Sequence, residues 1–130
     1  MAVPTGLDAA RLERELCPDP VALDRLRSLG GAGLLQKMIR LFLEHTPKRL
    51  RAATEGEKSG DWYQVERAAH SLKSSAGHLG LTGIQSLARD VEGLAERGQS
   101  RGLASLIHQI EFLFQAAQSY LEDEDKVSHD

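Results

Sequence analysis

Apolar residues along this chain recur at three- and four-residue intervals and nowhere in sustained alternation, so the pattern predicts helices and no strands. A first short helix is expected over about Asp8 to Leu16, stopping at Pro18. Asp19 is placed to cap a second short helix that begins at Pro20, turns Leu23 and Leu26 inward, and ends at Gly30-Gly31. A long helix follows from about Leu34 to Lys58, with Leu35, Met38, Ile39, Phe42, Leu50 and Ala53 on one stripe. Pro47 lies within it and is expected to kink it, because the stripe resumes at Leu50.

Gly60 closes that segment, and Asp61 offers an N-cap for a helix running to about Gly80. Thr82 is the expected cap of the next helix, whose stripe Ile84, Leu87, Ala88, Val91, Leu94, Ala95 is the cleanest in the chain. Gly98 and Ser100 mark the turn into a last helix carrying Leu103, Leu106, Ile107, Ile110, Leu113, Phe114 and Ala117. Trp62, just after its cap, is expected to pack across a bundle end. Short connections between long amphipathic helices make neighbours antiparallel. The expected fold is all-α: an antiparallel four-helix bundle over residues 20–121, with short additional N-terminal helices covering one end. Residues 1–19 form an N-terminal segment with its short helix, and residues 122–130 an acidic, disordered tail.

Composition narrows the function classes. A chain of 130 residues suits one domain with a single core. Leu and Ala supply most of the apolar surface and aromatics are few, at 5%, which favours helix over sheet. A net charge of -3 gives no field that would attract nucleic acid or an anionic membrane. The single cysteine, Cys17, has no internal disulfide partner and no catalytic neighbour, which fits a reducing compartment. No basic start with an apolar core marks a secretory signal, and no stretch is apolar enough to span a bilayer. A cytoplasmic location is therefore expected. The starting methionine and polar C-terminus fit a free-standing protein.

The segment from Ala69 to Gly80 carries the chemistry. On a helical wheel with His70 at zero and about 100° per residue, Val65, Ala68, Leu72, Ala76 and Leu79 fall between roughly 160° and 240°. His70 lies opposite this buried face, flanked by Glu66, Arg67, Lys73, Ser74 and Gly77, so it is expected to be exposed at mid-helix. Gly77 costs a helix interior about 1 kcal/mol relative to alanine; close approach of another protein to this face would account for it. Neutral imidazole is a competent nucleophile near physiological pH, and Lys73 at i+3 places positive charge beside any phosphoryl group it carries. Ser75 points toward the bundle flank as a packing residue. His78 lies about 80° around the helix, at the edge of the same face.

The run His70-Ser71-Leu72-Lys73-Ser74-Ser75-Ala76-Gly77-His78-Leu79-Gly80 resembles the H-x-L-K-G-S/A-S/A-x-x-hydrophobic-G signature of histidine-containing phosphotransfer (HPt) domains. The likeness extends to Arg67-Ala68-Ala69 before it and to Leu87 and Val91-Glu92 after it. Leu41-Phe42-Leu43-Glu44 with Pro47 and Leu50 also looks like the family's long second helix, so the resemblance covers about residues 20–120. It implies a monomeric carrier in which His70, through Nε2, accepts a phosphoryl group from a receiver-domain aspartate and passes it to another receiver. Lys73 matches the family lysine that stabilises the phosphoryl charge. Arg67, Ser74, Gly77 and His78 would belong to the docking surface. Ser74 departs from the glycine usual at its position. The partners implied are receiver domains of hybrid histidine kinases and response regulators, in a two-component phosphorelay.

Signatures of other chemistry are missing. Gly30-Gly31-Ala32-Gly33 lacks the preceding strand and the Lys-Ser ending of a phosphate loop and reads as a helix cap and turn. His45, His108 and His129 have no ligand-like spacing, so no metal site is expected. No acidic cluster beside His70 would hold magnesium. The chain is thus expected to need no cofactor, with magnesium held only by the partner receiver, and neither to bind ATP nor to phosphorylate itself. Two other readings stand beside the carrier: a helical adaptor that binds a receiver or kinase without carrying phosphate, and the dimerising phosphoacceptor domain of a histidine kinase. Against the last, Ser71 replaces the acidic residue typical after that histidine and no ATP-binding domain follows.

Overall fold

The computed structural model describes residues 19–129, with side chains described through Glu124. The helix expected over Asp8 to Leu16 and the turn at Cys17 lie outside the described residues. Four helices follow in order: α1 (Pro20–Ser59), α2 (Trp62–His78), α3 (Thr82–Glu96) and α4 (Leu103–His129).

Asp19 caps α1 by accepting a hydrogen bond from the Val21 amide at 3.0 Å, with Pro20 at the first helical position. The break expected at Gly30-Gly31 is present inside α1. Both residues leave helical geometry, Gly31 at φ 71°, ψ −166°, a conformation open to glycine alone. The opening of α1 is thereby a short helix set against the rest. At Pro47 the helix is not broken: the torsions stay helical through it, and only Gly30 and Gly31 depart. The missing Pro47 N–H costs one helical hydrogen bond, and the stripe Phe42, Leu50, Ala53 stays buried on both sides of it.

Asp61 caps α2 through the Gln64 amide at 3.1 Å, and Gly60, in the left-handed region, closes α1. Thr82 does not cap α3. Leu81 holds that position with no side-chain hydrogen bond, and Thr82 is already the first helical residue. A buried Leu81 (1% exposed) anchors the turn instead. At the same corner Gly80 adopts φ 69°, and its carbonyl accepts from the Asp19 amide at 3.0 Å. A Cβ on Gly80 would stand 2.8 Å from that amide nitrogen and 2.9 Å from the Ala22 Cβ. Gly80 therefore lets the start of α1 close over the end of the bundle.

Successive helices pack in a ring, α1 on α2, α2 on α3, α3 on α4 and α4 back on α1. With connections of a few residues, this is the antiparallel four-helix bundle that the periodicity predicts. One continuous core runs through it, including Leu35, Ile39, Phe42, Val65, Leu72, Ile84, Leu103, Ile110 and Leu113. Phe42 meets Phe114 edge-to-face at 5.7 Å. Trp62 packs across a bundle end against the turn at Gly98, at 3.6 Å from where its Cβ would be.

The acidic C-terminal run corrects an expectation. It is not a disordered tail: α4 continues through Glu122 to Asp125 and ends at His129. Leu121 is fully buried, and Glu124 accepts a 2.8 Å hydrogen bond from Arg27 in the opening turns of α1. The apolar stripe of α4 thus extends farther than the charge run suggests. No helix among the described residues is long and apolar enough to cross a membrane.

Candidate functional site

The amphipathic phase of α2 decides which of its residues face outward. Val65, Ala68, Leu72, Ala76 and Leu79 are all buried, at most 6% exposed, so the side chain opposite them must face solvent. His70 does, with 66% of its side chain exposed. Its ring is nevertheless fixed. Nδ1 lies 2.7 Å from Oε2 of Glu92, reaching across from α3, and the other oxygen of Glu92 accepts from Lys73 Nζ at 2.6 Å.

Glu92 is almost buried, at 9% exposed, so its charge needs partners. The Lys73 hydrogen bond is the largest influence and holds its carboxyl below the usual carboxylate range. Burial pushes the other way, and the His70 hydrogen bond and the Lys73 charge add to the lowering. An ionised Glu92 is an acceptor only, so Nδ1 of a neutral His70 carries the proton and donates it. The lone pair then resides on Nε2, on the outer edge of the ring. A nucleophilic nitrogen is thereby selected by a neighbouring helix.

Glu92 was not legible as a site residue from its own surroundings, although Val91-Glu92 lies within the family likeness. One signal was present: with Ile84 at zero on the wheel, Glu92 falls at about 80°. A carboxylate at the margin of the cleanest apolar stripe is forced into partial burial and must find a cation.

The other predicted residues divide around His70. Lys73, half-buried, turns toward α3 and Glu92 rather than standing free in solvent. Gly77 also lies on this side and is half-buried. A Cβ there would stand 2.7 Å from the Gln85 side-chain nitrogen, so its smallness admits a side chain of α3 rather than leaving an open docking face. Ser74 and His78 are exposed on the opposite side, toward α1, where they line a groove of about 350 Å³ that also includes His70. The α1 wall of this groove is built from Met38, Leu41, Phe42, His45 and Arg49. Ser75 faces that flank as a packing residue, donating to the Ser71 carbonyl at 3.0 Å and accepting from Arg49 at 3.3 Å. Arg67 is exposed, with its guanidinium 5.7 Å from the Tyr63 ring centre, and does not line the groove. The α1 residues escaped sequence reasoning because only tertiary packing brings them beside α2. A larger groove of about 480 Å³ between α1 and α4 shares no residue with the one at His70.

Among the described residues, no group of three or more His, Cys, Asp or Glu side chains is gathered where it could hold a metal ion. The arrangement is that of one oriented, accessible imidazole on a rigid helix, with a buried carboxylate and an ammonium behind it. The Hpt domain model matches residues 37–123, which span α2 and α3 whole together with most of α1 and α4. The chain belongs to the Hpt domain family. Hpt domains are phosphocarriers rather than kinases, and histidine phosphotransfer within a phosphorelay is the role of this chain. The fold is similar to the crystal structure of histidine-containing phosphotransfer protein B (HptB) from Pseudomonas aeruginosa PAO1. That match has a TM-score of 0.78 and 22% identity, and covers 84% of this chain and 94% of the other. No curated protein gives a significant match. The Hpt assignment agrees with the expected bundle, and the matched range includes the run from His70 to Gly80, most of which lies on α2.

Proposed function

We propose that His70 is the phosphoacceptor and that its partners are receiver domains on both sides of a relay. The observation that carries this reading is the Nδ1–Glu92 contact at 2.7 Å on an otherwise exposed ring. In the forward step the Nε2 lone pair attacks phosphorus of the receiver's aspartyl phosphate. The N–P bond forms as the acyl O–P bond breaks, and the aspartate leaves as carboxylate. The imidazole becomes cationic, and Glu92, accepting from Nδ1–H, stabilises that charge where it develops. Lys73 fixes the orientation of Glu92 and brings positive charge to the phosphoryl oxygens. Reversal of the same step onto a second receiver completes the carrier cycle.

Ser74 and His78 line the docking face beside the imidazole, Arg67 borders it, and Gly77 allows α2 and α3 to close behind it. The chain supplies positioning and electrostatics. It needs no cofactor of its own and no ATP, and magnesium belongs to the receiver. The working form is a cytoplasmic monomer. A His70→Gln variant separates carrier from adaptor: it is expected to lose phosphate uptake from a phosphorylated receiver while binding that receiver as the wild type does. A wild type that binds receivers but takes up no phosphate would favour the adaptor.

A further inference from the structure

The groove between α1 and α2 has a one-sided charge. Its apolar wall is Met38, Leu41 and Phe42, its basic groups beyond His70 are His45, Arg49 and His78, and none of its lining residues among the described residues is acidic. Leu41, a large apolar residue, keeps 40% of its surface exposed there.

Arg49 stands out among these groups. It is half-buried, and its one polar contact among the described residues is the neutral hydroxyl of Ser75 at 3.3 Å. Burial lowers its pKa, and no carboxylate among the described residues acts to restore it. Arg27, by contrast, holds two carboxylates, Asp24 at 3.0 Å and Glu124 at 2.8 Å. A partly desolvated guanidinium with unused donors is a cost in the free protein that an incoming carboxylate removes, and its planar fork suits a bidentate pair. The contact with Ser75, five residues beyond His70, puts Arg49 about 7.5 Å along the helix from the imidazole. It also lies on the flank opposite Glu92, and it is therefore placed to meet the partner's surface rather than the reacting atoms.

We infer that Arg49 is a specificity-determining residue, pairing with an Asp or Glu set beside an apolar patch on the receiver that docks over Leu41 and Met38. This inference rests on the proposed carrier function. Receivers with that acidic residue exchange phosphate with His70 efficiently. Receivers with a basic or apolar residue there leave Arg49 unpaired and are discriminated against.

The test uses two phosphodonors on the full chain: phosphoramidate, which needs no docking surface, and the complete set of receiver domains from the same genome, each loaded with phosphate. Arg49→Gln and Arg49→Lys are compared with wild type after circular dichroism shows all three folded. For the receivers that label the wild type, Arg49→Gln is expected to lower the ratio of receiver-driven to phosphoramidate-driven labelling by roughly tenfold or more. The loss should lie in KM rather than kcat, and should shrink as salt is raised. Arg49→Lys should recover part of it. An unchanged ratio would overturn the inference while leaving the carrier function intact. An equal loss with both donors would also overturn it, by placing Arg49 on the phosphoryl group or in the fold. A wild type labelled by phosphoramidate and by no receiver would overturn the docking assignment. A wild type labelled by neither would instead remove the carrier function on which the inference rests.

Discussion

Glu92 reaches from α3 to within 2.7 Å of Nδ1 of His70, so the imidazole is oriented by a helix other than the one that carries it. Hydrogen bonds to charged groups contribute about 1.5–3 kcal/mol, which corresponds to roughly tenfold to a hundredfold in rate if it is expressed in the transition state. Glu92→Gln should therefore slow phosphoryl uptake by about that factor while receiver binding holds, because the amide no longer supports the imidazolium charge. Single-turnover transfer from a phosphorylated receiver measures it; an unchanged rate would mean the contact only restrains the ring.

The same carboxylate gives stability a pH dependence of defined sign. Its folded pKa lies below the ordinary carboxylate value, so the linked stabilisation is fully present above the unfolded value of about 4.3. It is lost as pH falls from there through the folded pKa. Denaturant titrations of wild type and Glu92→Gln should show a wild-type advantage at pH 7 that narrows below about pH 4.3. An advantage that widened on acidification would contradict the assignment.

Much of the fold could be read from the chain and the site only in part, for a physical reason. Helical periodicity reports which face of one helix is buried, and that sufficed to expose His70 and bury Leu72 and Ala76. It cannot report what a neighbouring helix brings. Glu92 behind the ring, Gln85 over Gly77, and Arg49 and His45 across the groove are all products of helix pairing. Boundaries failed where local chemistry was overridden by packing. A buried Leu81 displaced Thr82 from the cap, and a buried Leu121 carried α4 through its acidic end.

Thr46 is completely buried, and its hydroxyl has no hydrogen-bond partner among the described residues. Replacement by valine keeps the shape and removes an unsatisfied polar group, whose burial costs about 1–3 kcal/mol. Thr46→Val should stabilise the bundle by about 1 kcal/mol, raising Tm by roughly 4 °C in a thermal melt. Destabilisation would show that the hydroxyl is satisfied in solution.

Gly56 lies where α1 passes closest to the start of α2. A Cβ there would meet Val65 Cγ2 at 2.8 Å and the Asp61 carbonyl oxygen at 2.9 Å. Backbone cannot yield as a flexible side chain can, so the strain outweighs the roughly 1 kcal/mol of helix propensity that alanine regains. Gly56→Ala should lose about 1–2 kcal/mol in urea unfolding. Gly77→Ala, which meets only the flexible tip of Gln85, should lose less.

On the proposed function, His70 carries the phosphoryl group on the nitrogen that Glu92 leaves free. Tandem mass spectrometry and phosphorus NMR of the protein after transfer from a phosphorylated receiver read out that position. One acid-labile, base-stable phosphate is expected on Nε2 of His70, and none on the His70→Gln variant. Phosphate on Nδ1, or on another side chain such as Ser74 or His78, would contradict it.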